Sequence, residues 1–211
     1  MSPRRPSLRA LRAEAADCQR CPLYARATQT VFGEGARGGL MLVGEQPGDV
    51  EDRAGKPFVG PAGRLLRELL AEAGIAENEV YVTNAVKHFK WRPKGTRRIH
   101  DKPSWSEMQA CGHWLGLELA AVRPTLVVAL GATAAQALFG RTARVGALRG
   151  RPLELENGVA AIVTMHPSAV LRADADREAR RAELLADLEL ARKTAPMPSR
   201  RPRQRSKIAK S

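Results

Sequence analysis

The sequence is short of several things, and each shortage excludes a class of protein. Three cysteines in 211 residues are an odd number and too few for a disulfide framework, which points to a reducing compartment. No apolar run is long enough to cross a bilayer, and the early Arg4-Arg5 pair is followed by no apolar stretch, so neither a membrane span nor a signal peptide is expected. Acid is scarce too: 22 Asp and Glu stand against 35 Lys and Arg, a formal net charge of +13. These shortages predict a cytoplasmic protein with no membrane partner.

The surplus of positive charge has two centres. From Arg192 to Ser211 there are eight Lys/Arg and no acid, interleaved with Pro and Ser, which reads as a disordered basic tail. Without it the chain still carries about +5, and a second basic cluster lies in KWRPKGTRRIHDKPS, residues 90–104. Two separate basic features favour a polyanionic partner, most simply nucleic acid. With 44% apolar residues the remainder is expected to fold as one domain. The expected organisation is a flexible N-terminus over 1–10, a globular domain over 11–193 and the tail over 194–211.

Four short apolar runs rich in β-branched residues recur: LMLVGE (40–45), VYVTN (80–84), TLVVALG (125–131) and AAIVTMH (160–166). Helical patterns separate them. PAGRLLRELLAEAG (61–74) opens on Pro and closes on Gly. SWSEMQACGHWLGLELAAV (104–122) opens with a capping box from Ser104 to Glu107. ATAAQALFG (132–140) and a charged stretch over 174–193 supply two more, and Asn157-Gly158 suggests a small hairpin. Strand and helix in alternation predict an α/β fold, a single domain with a four-stranded, largely parallel sheet flanked by helices. In such sheets ligands bind beyond the carboxyl ends of the strands. The runs end at Glu45, Asn84, Gly131 and His166, so Glu45, Asn84 and His166 are expected in one cleft.

Several motifs sit at those ends. GEQPGDVED (44–52) makes a tight turn at Gly44, Pro47 and Gly48 and brings up Glu45, Asp49 and Asp52. GKPFVGPAGRLL holds Phe58 in a Gly/Pro-rich loop, where an aromatic can stack on a nucleobase. HPS places Ser168 after His166, and Arg172 follows; both suit phosphate contact. Cys18 and Cys21 in CxxC spacing, with Cys111, make three-quarters of a tetrahedral metal set. His88 and His113 are both candidates for the fourth ligand, and spacing leaves zinc and an iron–sulfur cluster equally open.

Taken together, GEQPGDVED, GKPFVGPAGRLL, YVTNAVKHFKW, RRIHDKPS and HPSAVLR resemble the uracil-DNA glycosylase superfamily. More closely they resemble its UdgX branch, related to the family 4 iron–sulfur uracil-DNA glycosylases, and the resemblance covers about residues 11 to 192. The resemblance implies a [4Fe–4S] cluster held by Cys18, Cys21, Cys111 and His88, leaving His113 as a structural or surface residue. It implies a substrate, uracil in DNA, with single-stranded DNA preferred because the base must leave the stack. Phe58 is then expected to stack on uracil and Asn84 to read the edge that separates uracil from cytosine. Gly44 and Gln46 line the same pocket, and His166 bonds the uracil O2.

The chemistry gives those residues roles. Cleavage of an N-glycosidic bond passes through a sugar cation, for which Glu45 and Asp49 supply negative charge, while His166 and Asn84 stabilise the departing base. The branch implies that His100, in Arg97-Arg98-Ile99-His100, attacks C1′ in place of water and leaves a covalent protein–DNA bond. The six cations around His100 in sequence are expected to favour its neutral form. Lys94, Arg97, Arg98 and Lys102 are assigned to phosphates, and Glu45 to orienting His100 or taking its proton. Two other readings are a conventional glycosylase that releases uracil and a free abasic site, and a non-catalytic iron–sulfur nucleic-acid-binding module. A monomer is expected.

Overall fold

The apolar runs become the centre of one sheet in the computed structural model, which describes residues 7–195. The first half of the chain forms α1 (Leu8–Ala16), β1 (Glu34–Gly35), β2 (Leu40–Gly44), α2 (Asp49–Ala54), α3 (Pro61–Glu72), β3 (Val80–Asn84), β4 (Trp91–Lys94) and β5 (Arg97–His100). The second half forms α4 (Trp105–Val122), β6 (Leu126–Leu130), α5 (Ala132–Phe139), α6 (Val145–Leu148), β7 (Leu153–Glu154), β8 (Ala160–Thr164), α7 (Pro167–Leu171) and α8 (Arg177–Thr194). The sheet runs β1-β3-β2-β6-β8-β7. Its four central strands are parallel, as expected, and the two-residue edge strands β1 and β7 add antiparallel pairs. Helix α1 already begins at Leu8, capped by the Ser7 hydroxyl, inside the segment expected to be flexible. The expected basic tail lies outside the described residues from 196 onward.

Both faces of the sheet are covered, which is why its strands read as unbroken apolar runs rather than alternating ones. Leu40 and Leu42 of β2 face α3, α7 and α8, joining Leu66, Leu69, Val170, Leu184 and Leu188 in one buried cluster. Met41 and Val43 face the other way and join Leu115, Val122, Ala134 and Ala135 from α4 and α5. The capping box at the head of α4 forms as expected, with the Ser104 hydroxyl accepting from the Glu107 N–H and the Glu107 carboxylate accepting from the Ser104 N–H. The turn at Asn157-Gly158 closes β7 onto β8, with Gly158 at φ 80°.

The basic stretch is not an open loop. It is a two-stranded antiparallel ribbon pairing Trp91 with His100, Arg92 with Ile99, Pro93 with Arg98 and Lys94 with Arg97. Gly95, at φ 58°, makes the two-residue turn possible. Opposed residues share a face, so Trp91, Pro93, Arg98 and His100 lie on one side and Arg92, Lys94, Ile99 and Arg97 on the other.

One ionic feature had no signal in the sequence. Lys87, fully buried behind the end of β3, donates to Thr83 Oγ1 at 2.7 Å, to the Asn84 carbonyl at 2.7 Å and to Glu118 Oε2 at 2.5 Å. Glu118 is equally buried and also accepts from the Gly33 N–H and the Tyr81 hydroxyl, both at 2.9 Å. The pair fastens the backbone of Asn84 to α4. Lys87→Met leaves the Glu118 charge without its partner and should cost about 3–5 kcal/mol, read as a lowered urea midpoint.

Candidate active site

Strands β2 and β6 are neighbours whose onward connections run in opposite directions, β2 to β3 and β6 to β8. That makes their carboxyl ends the switch point at which open α/β sheets bind ligands. Glu45 follows β2, Thr133 opens α5 just after β6, Asn84 ends β3 and His166 follows β8. Thr133 Oγ1 donates to Glu45 Oε2 at 2.5 Å, and His100 Nε2 lies 3.0 Å from Glu45 Oε1. Burial alone would raise the Glu45 carboxyl. The hydrogen bonds from His100 and Thr133, with the charge of His100 and His166, hold it below the usual carboxylate range instead. An ionised Glu45 accepts, so His100 Nε2 carries a proton toward it.

Thr133 is the residue that sequence reasoning missed here. The strand-end rule points to the end of β6 as much as to the other three, but the residue there is Gly131, which carries no functional group. The hydroxyl comes two residues later. Gly131 itself has φ 91° and passes close to the His166 Cβ, so it clears the floor of the cleft.

Opposite Glu45, the aromatic wall forms from a strained residue. Phe58 has φ 55°, in the left-handed region that a bulky side chain rarely adopts. Its carbonyl is held by Arg67 at 2.8 Å. The strain lays its ring over His166, with centroids 6.0 Å apart and planes 29° apart. A methyl group at Gly44 would collide with both Asn84 Oδ1 and the tip of Phe58, so Gly44, Asn84 and Phe58 surround one small space. Gly44→Ala should therefore push Asn84 and Phe58 apart and lower the rate of the reaction this cleft performs by about 100-fold, on the scale set by ångström-sized misplacement.

His166 is prepared as a neutral donor. Its Nδ1 accepts from the Ser168 N–H at 3.1 Å and lies 2.7 Å from the Ser168 hydroxyl, which leaves the proton on Nε2. Desolvation lowers its pKa to about 4, against the opposing pull of Glu45 and with the help of Arg172 and His100. Because the folded value lies below the ordinary 6.5, the unfolded chain binds more protons between these limits, and folding stability falls as pH drops from 6.5 toward 4. His166→Asn should flatten that part of the urea-midpoint profile. The Ser168 hydroxyl, expected on phosphate, is thus turned toward His166, while Arg172 stands exposed at the end of α7.

Other expected residues are placed differently. Both oxygens of Asp49 are taken by guanidinium groups, Oδ1 by Arg98 at 2.5 Å and Oδ2 by Arg53 at 3.0 Å. Its charge is spent on the hairpin, and Glu45 is the carboxylate facing His100. Arg98 also reaches buried Asp52 at 2.7 Å and is only 14% exposed, so it latches the ribbon to α2. The exposed cations are Arg92, Lys94 and Arg97 on the outward face, with Lys102 beyond. Gln46 spends its side-chain amide on the ribbon's base, donating to the carbonyls of Lys90 and Asp101 and accepting the Lys90 N–H, all at 3.1 Å. The group that touches the His100 ring is therefore a carboxylate rather than a cation.

Cys21 and Cys111 share one buried cluster, and Cys18 lies in another with Trp114. Cys111, against burial and with help from nearby His88, draws the Cys21 thiol down to about 5. Cys18 accepts from Trp114 Nε1 at 3.1 Å. His88 Nε2 meets the Thr30 hydroxyl at 2.8 Å, and its Nδ1 is buried with no partner among the described residues. Among those residues no three side chains close into a finished metal-binding group. His113 is exposed, its ring against Trp114.

Residues 32–189 match the family described as the uracil DNA glycosylase superfamily. A type-4 uracil-DNA glycosylase of Thermotoga maritima is 41% identical over 177 residues, covering 83% of this chain and 88% of that protein. Type-4 uracil-DNA glycosylases of Pyrobaculum aerophilum and Archaeoglobus fulgidus are each 37% identical, covering 82% and 75% of this chain and 87% and 80% of their own lengths. The match takes in every strand of the main sheet and the cleft at its carboxyl end, and the chain belongs to the uracil-DNA glycosylase superfamily.

Proposed function

We propose that this protein excises uracil from DNA, single-stranded DNA preferentially, and becomes linked through His100 to C1′ of the sugar it leaves. The observation that carries the reading is the 3.0 Å contact between His100 and Glu45, made in the same strand-end cleft as Phe58, Asn84 and His166. Phe58 stacks on the flipped base, Asn84 bonds its edge, and the His166 Nε2–H donates to O2 as negative charge develops there. The C1′–N1 bond breaks with its electron pair leaving on uracil. The free nitrogen of His100 gives its lone pair to C1′, and the Nε2 proton passes to Glu45. A neutral N-glycosyl imidazole is a poor leaving group, so the product stays attached. Arg92, Lys94, Arg97 and Lys102 hold the flanking phosphates, and Arg172 approaches them from α7.

The reading includes a [4Fe–4S] cluster held by Cys18, Cys21, Cys111 and His88. The buried, unpartnered Nδ1 of His88 and the lowered pKa of Cys21 beside Cys111 support this set, with the Thr30 hydroxyl orienting the ring. When bound, the cluster supplies a covalent tie between the N-terminal segment, the end of β3 and α4.

The test is a denaturing gel of the protein with a single-stranded oligonucleotide bearing one uracil, beside a thymine control. A uracil-dependent band of protein plus DNA that survives heat and detergent is the expected result. Strand breaks after alkali without that band would mean conventional turnover, and neither signal would mean a binding module.

A further inference from the structure

We infer that Trp91 is the positioning residue that decides whether His100 or water captures the sugar, an inference that rests on the covalent reading above. A two-stranded ribbon of four residues a side is barely stable alone in water, so the place of His100 depends on what the ribbon is tied to. Gln46 holds its base and Arg98 holds its inner face. Trp91 stands directly across from His100 in the pairing, on the same face. Its indole N–H donates to the Arg26 carbonyl at 2.9 Å, and the guanidinium groups of Arg26 and Arg98 lie 4.6 Å and 5.5 Å from its ring. A side chain held by these three contacts sets both the backbone position and the lean of the histidine opposite.

The segment that receives Trp91 is itself anchored. After Arg26, the Thr28 N–H donates to the Asp52 carboxylate at 3.0 Å and the Thr28 hydroxyl accepts from Arg98 at 3.2 Å. Two residues on, the Thr30 hydroxyl meets His88. Residues 26–30 thus form a strap from the Cys/His pocket to the ribbon, and Trp91 is where the ribbon rests on it.

The consequence is a change in partition rather than in bond cleavage. Departure of uracil depends on Phe58, Asn84 and His166, none of which touches Trp91. When the ribbon drifts, the His100 lone pair no longer reaches C1′. A water oxygen forms the bond in its place, its proton goes to Glu45, and a free abasic site results. An ångström of misplacement costs about 100-fold in a held reaction.

The experiment measures released uracil, covalent adduct and alkali-labile sites in parallel for the parent, Trp91→Ala, Trp91→Phe and Arg26→Ala, using the full chain and a single-stranded uracil oligonucleotide. For Trp91→Ala, uracil release should stay within about 3-fold while the adduct-to-abasic ratio falls by at least about 10-fold. Trp91→Phe keeps a ring against the two guanidinium groups and should restore most of the ratio. Arg26→Ala, at an exposed position, should lower the ratio more mildly and guards against a folding defect in Trp91→Ala. An unchanged ratio in Trp91→Ala would overturn the inference, as would adduct and uracil release falling together in all three variants. A parent protein that forms no adduct would overturn the covalent reading and this inference with it, which separates the two failures.

Discussion

His100→Ala should abolish the heat-stable adduct yet leave uracil release measurable, converting the product into an alkali-labile abasic site. The side chain is 49% exposed at the edge of a surface ribbon, so its loss opens no core cavity. The residues that act on the base belong to the sheet and to α7 and keep their places without it. Glu45 keeps its bond from Thr133 and gains a free oxygen at which to orient water. The held imidazole owes its advantage over water to proximity, an effective concentration far above molar. Removing it should therefore eliminate the covalent branch while uracil release stays within about 10-fold of the parent. Glu45→Gln tests the proton's destination: a variant that cross-links at the parental rate would remove Glu45 as its acceptor.

His166→Ala should be the more damaging substitution for chemistry, lowering single-turnover uracil release by about 100- to 1,000-fold, the usual loss when one preorganised donor is removed from a developing anion. Adduct formation should fall with it, because capture follows bond cleavage. The imidazole is neutral well below physiological pH, its pKa lowered to about 4 mainly by desolvation. The donor is thus present throughout the neutral range, and protonation of His166 should not limit the rate above about pH 5. Binding of uncleaved DNA should change far less than release, since the donor meets its full charge only as the base departs. Uracil release within a few-fold of the parent would remove His166 from the chemistry.

What the sequence made legible was set by backbone direction. Four apolar runs announced four buried parallel strands, and the residues following three of them, Glu45, Asn84 and His166, met in the cleft because chain order and sheet geometry put them there. What it did not make legible depends on contacts across elements. Lys94, Arg97 and Arg98 look alike as a run of cations, yet strand pairing turns Lys94 and Arg97 outward and Arg98 inward to Asp49 and Asp52. Asp49 reads as a site acid until that partner is known, and Gln46 reads as a pocket residue until the ribbon it clamps is seen. Thr133 was hidden behind a glycine, and Lys87 behind the assumption that lysine faces solvent. Trp91 carried no signal beyond its place in a basic stretch, because its importance comes from the histidine paired with it.

The most direct test of the account is tandem mass spectrometry of the protein after reaction with a uracil-containing oligonucleotide and nuclease digestion. The account predicts one peptide carrying the mass of an abasic deoxyribose residue, with the fragment ions placing it on His100. Attachment at another residue, or no modified peptide from a reaction that has released uracil, would contradict it.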